Sequence, residues 1–138
     1  NSSEFSKLTM MFQKEVANRI IAKPGTKNYS RLSVISQLKT KAKILFDIPD
    51  TAFFPKPRVQ SSLVQFIPYK NKKYNFHFDQ MEHLTKLVFS KKRKMLRTIF
   101  KNEGGSSFLN SLNIDPNIRP EKLTLEEFCK LEFNLRQD

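Results

Sequence analysis

The sequence predicts an α+β chain in which strands alternate with helices up to residue 69 and helices stand alone beyond it. Three observations carry this. Lys7 to Gln13 (KLTMMFQ) is a short, nearly unbroken apolar run, the pattern of a strand buried on both faces as in a parallel sheet. Two further strand-like runs, Lys43 to Ile48 (KILFDI) and Val59 to Ile67, follow helical or proline-rich stretches, and such alternation implies a mostly parallel sheet with helices on its faces. After Pro68 and the polar stretch Tyr69-Lys70-Asn71-Lys72-Lys73, every apolar pattern has a helical period.

Each element has a local reason. Lys14 to Ala22 puts Val16, Ala17, Ile20 and Ile21 on one stripe, a short amphipathic helix that Pro24-Gly25 stops. Residues 25–30 (GTKNYS) read as a loop, and Arg31 to Thr40 carries Leu32, Ile35 and Leu38 near helical spacing. The second strand closes at Pro49-Asp50. In the second part, Asp79 with Glu82 three residues on has the form of a capping box. It would open one long helix with Met81, Leu84, Val88, Met95 and Ile99 on one face, ended by Gly104-Gly105. Ser106 or Ser107 starts a short helix through Leu109 and Leu112, and Asp115-Pro116 with Arg119-Pro120 makes a turn-rich link. Thr124, with Glu127 as its capping partner, opens the last helix, where Leu125, Phe128, Leu131 and Leu135 point inward. Three strands are few for such a sheet, and a strand apolar on both sides wants neighbours on both edges. The chain also begins at Asn1-Ser2-Ser3, without methionine. The expectation is a fragment, the second half of a larger doubly wound domain, with an apolar edge bared at Leu8, Met10 and Phe12.

Charge bounds the partner. Lys and Arg number 25 against 13 Asp and Glu, a net charge of +12, which favours a polyanion: nucleic acid first, an anionic membrane second. No apolar run approaches the roughly 18 residues that span a bilayer, and no signal-peptide pattern opens the chain. The single cysteine, Cys129, rules out an internal disulfide and a cysteine-based zinc cluster and reads as buried filler. His77 and His83 read as surface or boundary residues. A cytoplasmic protein facing nucleic acid, with no membrane partner and no metal, is expected.

Between the second and third strands lies Phe53-Phe54-Pro55-Lys56-Pro57-Arg58. Proline fixes its own φ and holds the preceding residue extended, so this stretch forms a stiff rod leading into a strand. Its rings either plug the core or present a stacking platform for a flat ligand such as a nucleobase. Lys86, Lys91, Lys92, Arg93, Lys94, Arg97 and Lys101 fall within sixteen residues that contain no acid. They are either a solvated helix face or a grip on RNA phosphates, and four adjacent cations without an anion favour the grip.

MMFQKEVANRIIAKPGTKNYSRLSV (10–34), IPDTAFFPKPRVQSSLV (48–64) and FSKKRKMLRTIF (89–100) occur in order and at fitting spacing. Together they resemble the ribosomal RNA adenine dimethyltransferases of the KsgA type, relatives of the Erm methylases, over nearly the whole chain. The resemblance implies the C-terminal part of a Rossmann-like, S-adenosylmethionine-dependent methyltransferase domain (residues 1–69, its last three strands, the final one antiparallel). A small all-α RNA-binding domain (residues 70–138) follows it. The implied activity is dimethylation of adenine amines in small-subunit ribosomal RNA during ribosome assembly. Phe53 is implied to stack on the target adenine while Phe54 faces the core. Lys56, Arg58, Lys91, Lys92, Arg93, Lys94 and Arg97 are expected on the RNA. The family's glycine-rich cofactor turn and its N-L-P-Y motif have no counterpart here, so S-adenosylmethionine is expected only in a full-length protein, and this chain is expected to be inactive alone. Self-association through residues 7–13 is a further expectation. An Erm-type enzyme acting on large-subunit RNA is the nearest alternative, and a non-catalytic basic nucleic-acid-binding module is the alternative of another class.

Overall fold

The computed structural model describes residues 6–56 and 58–136. The Asn1-Ser2-Ser3 opening and Pro57, the second proline of the rod, lie outside the described residues. Strands β1 (Leu8–Gln13), β2 (Thr40–Ile48) and β3 (Ser61–Pro68) form one sheet in the order β1-β3-β2. β3 is antiparallel to both neighbours, so β1 and β2 run parallel to each other on its flanks. The expectation of a strand at 7–13 buried on both faces is not met among the described residues. β1 is an edge strand, with Leu8, Met10 and Met11 exposed and Phe12 half-buried. Its apolar composition reports what the strand can bury, not what lies against it.

Helix α1 (Lys14–Ile21) covers one face of the sheet. Ala17, Ile20 and Val64 are buried there together, with Phe12, Ala42, Ile44 and Phe66 packed against them. The Phe12 and Phe66 rings meet edge to face at 6.0 Å, a geometry favoured by the aromatic quadrupole. Between Ile44 and Phe46 the β2–β3 register shifts. The bulge puts Phe46 opposite Leu63 on the other face, where Phe46 is exposed.

Helix α2 (Arg31–Lys39) is wedged between α1 and the later helices, and its buried stripe is not the one its leucines suggest. Val34 and Leu38 are buried, Leu32 is exposed, and the polar Ser33 and Gln37 are buried as well. The polar pair answers carbonyls at the end of α1, where backbone donors run short and the Arg19 carbonyl has only a 3.4 Å bond from the Ala22 N–H. Gln37 Nε2 donates to the Ile20 and Ala22 carbonyls at 2.9 and 2.7 Å, and the Ser33 hydroxyl donates to the Arg19 carbonyl.

Val34 and Leu38 belong to a larger core with Met81, Leu84, Val88, Leu96, Phe100, Leu109, Leu123, Phe128 and Leu131. These come from α3 (Phe78–Ser90), α4 (Leu96–Ile99), α5 (Ser106–Ser111), α6 (Leu125–Leu135) and their connections. The single long helix expected from residue 79 is therefore two. The backbone N–H groups of Leu96 and Arg97 donate to the Ile118 and Pro116 carbonyls at 2.8 and 2.9 Å, which redirects the chain after Ser90. The inward face shifts with it: Leu96 is buried and Met95 exposed. Asp79 does not cap α3, whose N-cap is His77, and Glu82 pairs instead with Arg31 at 3.3 Å. At α6 the expected box is present: the Thr124 hydroxyl accepts from Glu127 N–H at 3.1 Å, and the Glu127 carboxylate accepts from Thr124 N–H at 2.9 Å.

Candidate nucleic-acid interface

The rod leaves the sheet at the carboxyl ends of β1 and β2, the end at which open α/β sheets hold their ligands. A polar knot closes that end. Lys14 Nζ lies 2.7 Å from the Asp47 carboxylate, which also accepts from the Ser62 hydroxyl at 2.7 Å. Hydrogen bonds from Lys14 and Ser62 hold the Asp47 carboxyl below its usual range. Gln60 is tied to the same corner, its carbonyl accepting from Lys14 N–H at 2.8 Å.

Beyond Pro49, a 3-10 turn over Asp50–Ala52 sets up Phe53, whose N–H donates to the Asp50 carbonyl at 3.3 Å. Phe53 is extended (φ −117°, ψ 152°) and half-buried. Phe54 does not face the core: it is 102% exposed, with Lys56 and Arg58 exposed beyond it. Extended backbone sends successive side chains to opposite sides, so with Phe53 turned partly inward its neighbour points to water.

The cations of residues 91–94 occupy the turn that joins α3 to α4, and all four are exposed. They fan out from a bend instead of lining one helix face. Arg97 lies in the first turn of α4 and donates to the Asn117 side chain at 2.9 Å.

A cleft of about 790 Å³ runs from this turn, at Lys92, across α2 to α1. Arg19, Lys27, Arg31 and Lys92 line it, with Glu15 and Glu82 as its acids. Glu15 pairs with Arg19 and Glu82 with Arg31, each at 3.3 Å, which leaves Lys27 and Lys92 as the excess positive charge. Its wall residues Glu15 and Asn28 also border a cleft of about 410 Å³ that reaches Gln13, Val59 and Gln60. A path of open surface thus runs from the foot of the rod to the basic turn. Arg19, Lys27 and Arg31 were not singled out in the sequence because they are scattered over thirteen residues and form no run. Beneath the cleft, Tyr29 is buried and meets Phe89 edge to face at 6.0 Å. Burial, with Glu126 and Glu127 nearby, pushes its phenol well above the usual tyrosine range.

His77 and His83 are exposed. Cys129 is half-buried against the larger core, and burial pushes its thiol up to about 11. Among the described residues no cluster of His, Cys, Asp or Glu is placed to hold a metal, and no helix is long and apolar enough to cross a membrane.

Residues 1–137 match the family described as ribosomal RNA adenine dimethylase. The chain is 42% identical over 137 residues to a ribosomal RNA small subunit methyltransferase A of Wolbachia from Drosophila simulans, covering 98% of this chain and 50% of the relative. It is 42% identical over 127 residues to the protein of the same name from Brucella abortus, covering 92% and 46%. The chain thus spans about half the length of these curated relatives. Among solved structures, a dimethyladenosine transferase from Plasmodium falciparum superposes with a TM-score of 0.82 at 29% identity, over 97% of this chain and 59% of that one. The 23S rRNA methyltransferase ErmE shares the mixed α/β fold, with a TM-score of 0.62 at 17% identity over 96% of this chain and 55% of that one.

Proposed function

Since the chain belongs to the ribosomal RNA adenine dimethylase family, we propose that it is the RNA-holding part of an S-adenosylmethionine-dependent enzyme. That enzyme dimethylates the exocyclic amine of adenines in small-subunit ribosomal RNA during ribosome assembly. One observation carries the proposal: a rod bearing the half-buried Phe53 ring leaves the sheet at the carboxyl ends of two parallel strands, and from Val59 and Gln60, where the rod ends, a surface path runs to a basic turn.

The adenine amine is a poor nucleophile because its lone pair is delocalised into the ring. The base must also leave its stack to be reached at all. Phe53 would hold the unstacked base, a contact of about 1–3 kcal/mol. Lys56, Arg58, Lys91, Lys92, Arg93, Lys94 and Arg97 would hold phosphates, which positions the strand without reading its sequence. Lys27 joins this set through the cleft it lines with Lys92. No histidine is assigned to proton removal, since the proton is lost after methyl transfer. Residues 1–69 would be the methyltransferase part and residues 70–138 the RNA-binding part.

The chain's own residues do not fit the methyl donor. Gly25 lies between α1 and α2, and Gly104 and Gly105 lie between α4 and α5, so none forms the strand-to-helix turn that cradles such a group. The chain alone is expected to transfer no methyl group.

The test is salt-dependent binding of small-subunit ribosomal RNA. Replacing Lys91, Lys92 and Arg93 together by alanine should weaken binding and lower the slope of log affinity against log salt by roughly 2–3. An unchanged slope would return these cations to the solvated surface.

A further inference from the structure

Phe54 stands apart from every other large apolar side chain in the described residues. It is 102% exposed, whereas the next, Phe133, is 61% exposed and carries the Arg136 guanidinium 5.0 Å from its ring centre. Both faces of the Phe54 ring are open to water.

We propose that Phe54 is a second base-stacking platform, one that takes the nucleotide next to the adenine held by Phe53. The proposal rests on the RNA-binding reading above and adds a second base-contacting residue to it. Its first support is position. Phe53 and Phe54 are consecutive, with Cα atoms about 3.8 Å apart, and the extended backbone at Phe53 sends the two rings to opposite sides. One ring is half-buried and the other faces water, so two neighbouring bases would be parted by the chain itself. The second support is charge. Exposed Lys56 and Arg58 follow within four residues, and Asp50 is the only acid between residues 49 and 60. An aromatic ring interleaved with cations suits single-stranded nucleic acid, whose bases offer π-faces and whose backbone offers phosphates. The third support is rigidity. The ring is mounted between the 3-10 turn at Asp50–Ala52 and Pro55, so little ordering remains to be done when a base arrives.

The experiment uses the whole 138-residue chain and a single-stranded RNA of about twelve nucleotides. The RNA carries the fluorescent adenine analogue 2-aminopurine either at the target position or beside it. Phe54→Ala should weaken binding about tenfold and remove the quenching of the neighbouring 2-aminopurine, leaving that at the target position in place. Phe54→Tyr should keep both, Phe54→Leu should not restore the quenching, and the melting temperature should not move because the ring touches no protein. The proposal is overturned if Phe54→Ala binds and quenches like the parent while Phe53→Ala does not, a result that leaves the RNA-binding reading standing. A lower melting temperature for Phe54→Ala also overturns it, by showing the ring packed on protein. If neither Phe53→Ala nor the triple substitution at residues 91–93 changes RNA binding, the underlying reading fails and this proposal fails with it.

Discussion

Glu132 ties α6 to the start of α3 through one buried carboxylate. It accepts from the His77 N–H at 2.8 Å, the start of α3, and from the Arg136 guanidinium at 2.6 and 2.9 Å. Its side chain is fully buried. Burial alone would raise its pKa, but the hydrogen bonds from Arg136 and His77 outweigh this and hold the carboxyl below its usual value. A folded-state pKa below the unfolded value means the stabilisation is complete above about pH 4.3, and is lost as pH falls through the lowered native value. Glu132→Ala should cost about 2 kcal/mol in urea denaturation at pH 7. The gap between parent and variant should narrow in acid below roughly pH 4; a gap independent of pH would mean that the charge contributes nothing. Sequence periodicity points to none of this, because an acid on a helix reads as solvated until its partners are known. Ser33 and Gln37 were hidden for the same reason: their value lies in the carbonyls of α1, a separate element.

At the scale of the element, one local signal came through intact. The Thr124 and Glu127 cap acts within four residues and forms as written in the sequence. Thr124→Ala should therefore destabilise the protein by about 1 kcal/mol, measured by the same denaturation, while Ser106→Ala, at the start of α5, should cost less because Ser106 caps nothing. The helix expected from residue 79 to Gly104 failed because its break is dictated from residues 116 and 118. No breaker stands between Phe89 and Phe100, so only the carbonyls that capture Leu96 and Arg97 reveal the bend. That bend sets the basic cluster as a fan, and the fan is what reaches the cleft through Lys92.

At the scale of the molecule, β1 presents an edge and an apolar surface together. Leu8, Met10 and Met11 are 42%, 43% and 53% exposed, and an uncovered edge strand of this kind is a template for pairing. The chain is expected to self-associate through it in solution. Sedimentation of the 16.2 kDa chain should show species larger than the monomer at tens of micromolar, and Met10→Lys with Met11→Lys should reduce them. A parent chain that stays monomeric under these conditions would refute the expectation. The net charge of +12 opposes such pairing at low salt, so association should strengthen as salt rises, the reverse of RNA binding.

Composition, prolines, caps and apolar runs act over a few residues. They therefore sufficed to place three strands, most of the helices, the rod and the basic cluster, and the order of the motifs carried the family resemblance. What they left open depended on groups far apart in the chain. The pairing of β1, the burial of Ser33 and Gln37, the bend at Ser90, the outward turn of Phe54 and the gathering of Arg19, Lys27, Arg31 and Lys92 around one cleft are all of this kind. Each follows from a hydrogen bond, a packing contact or a shared surface between distant segments, and such partners exist only once the chain has folded.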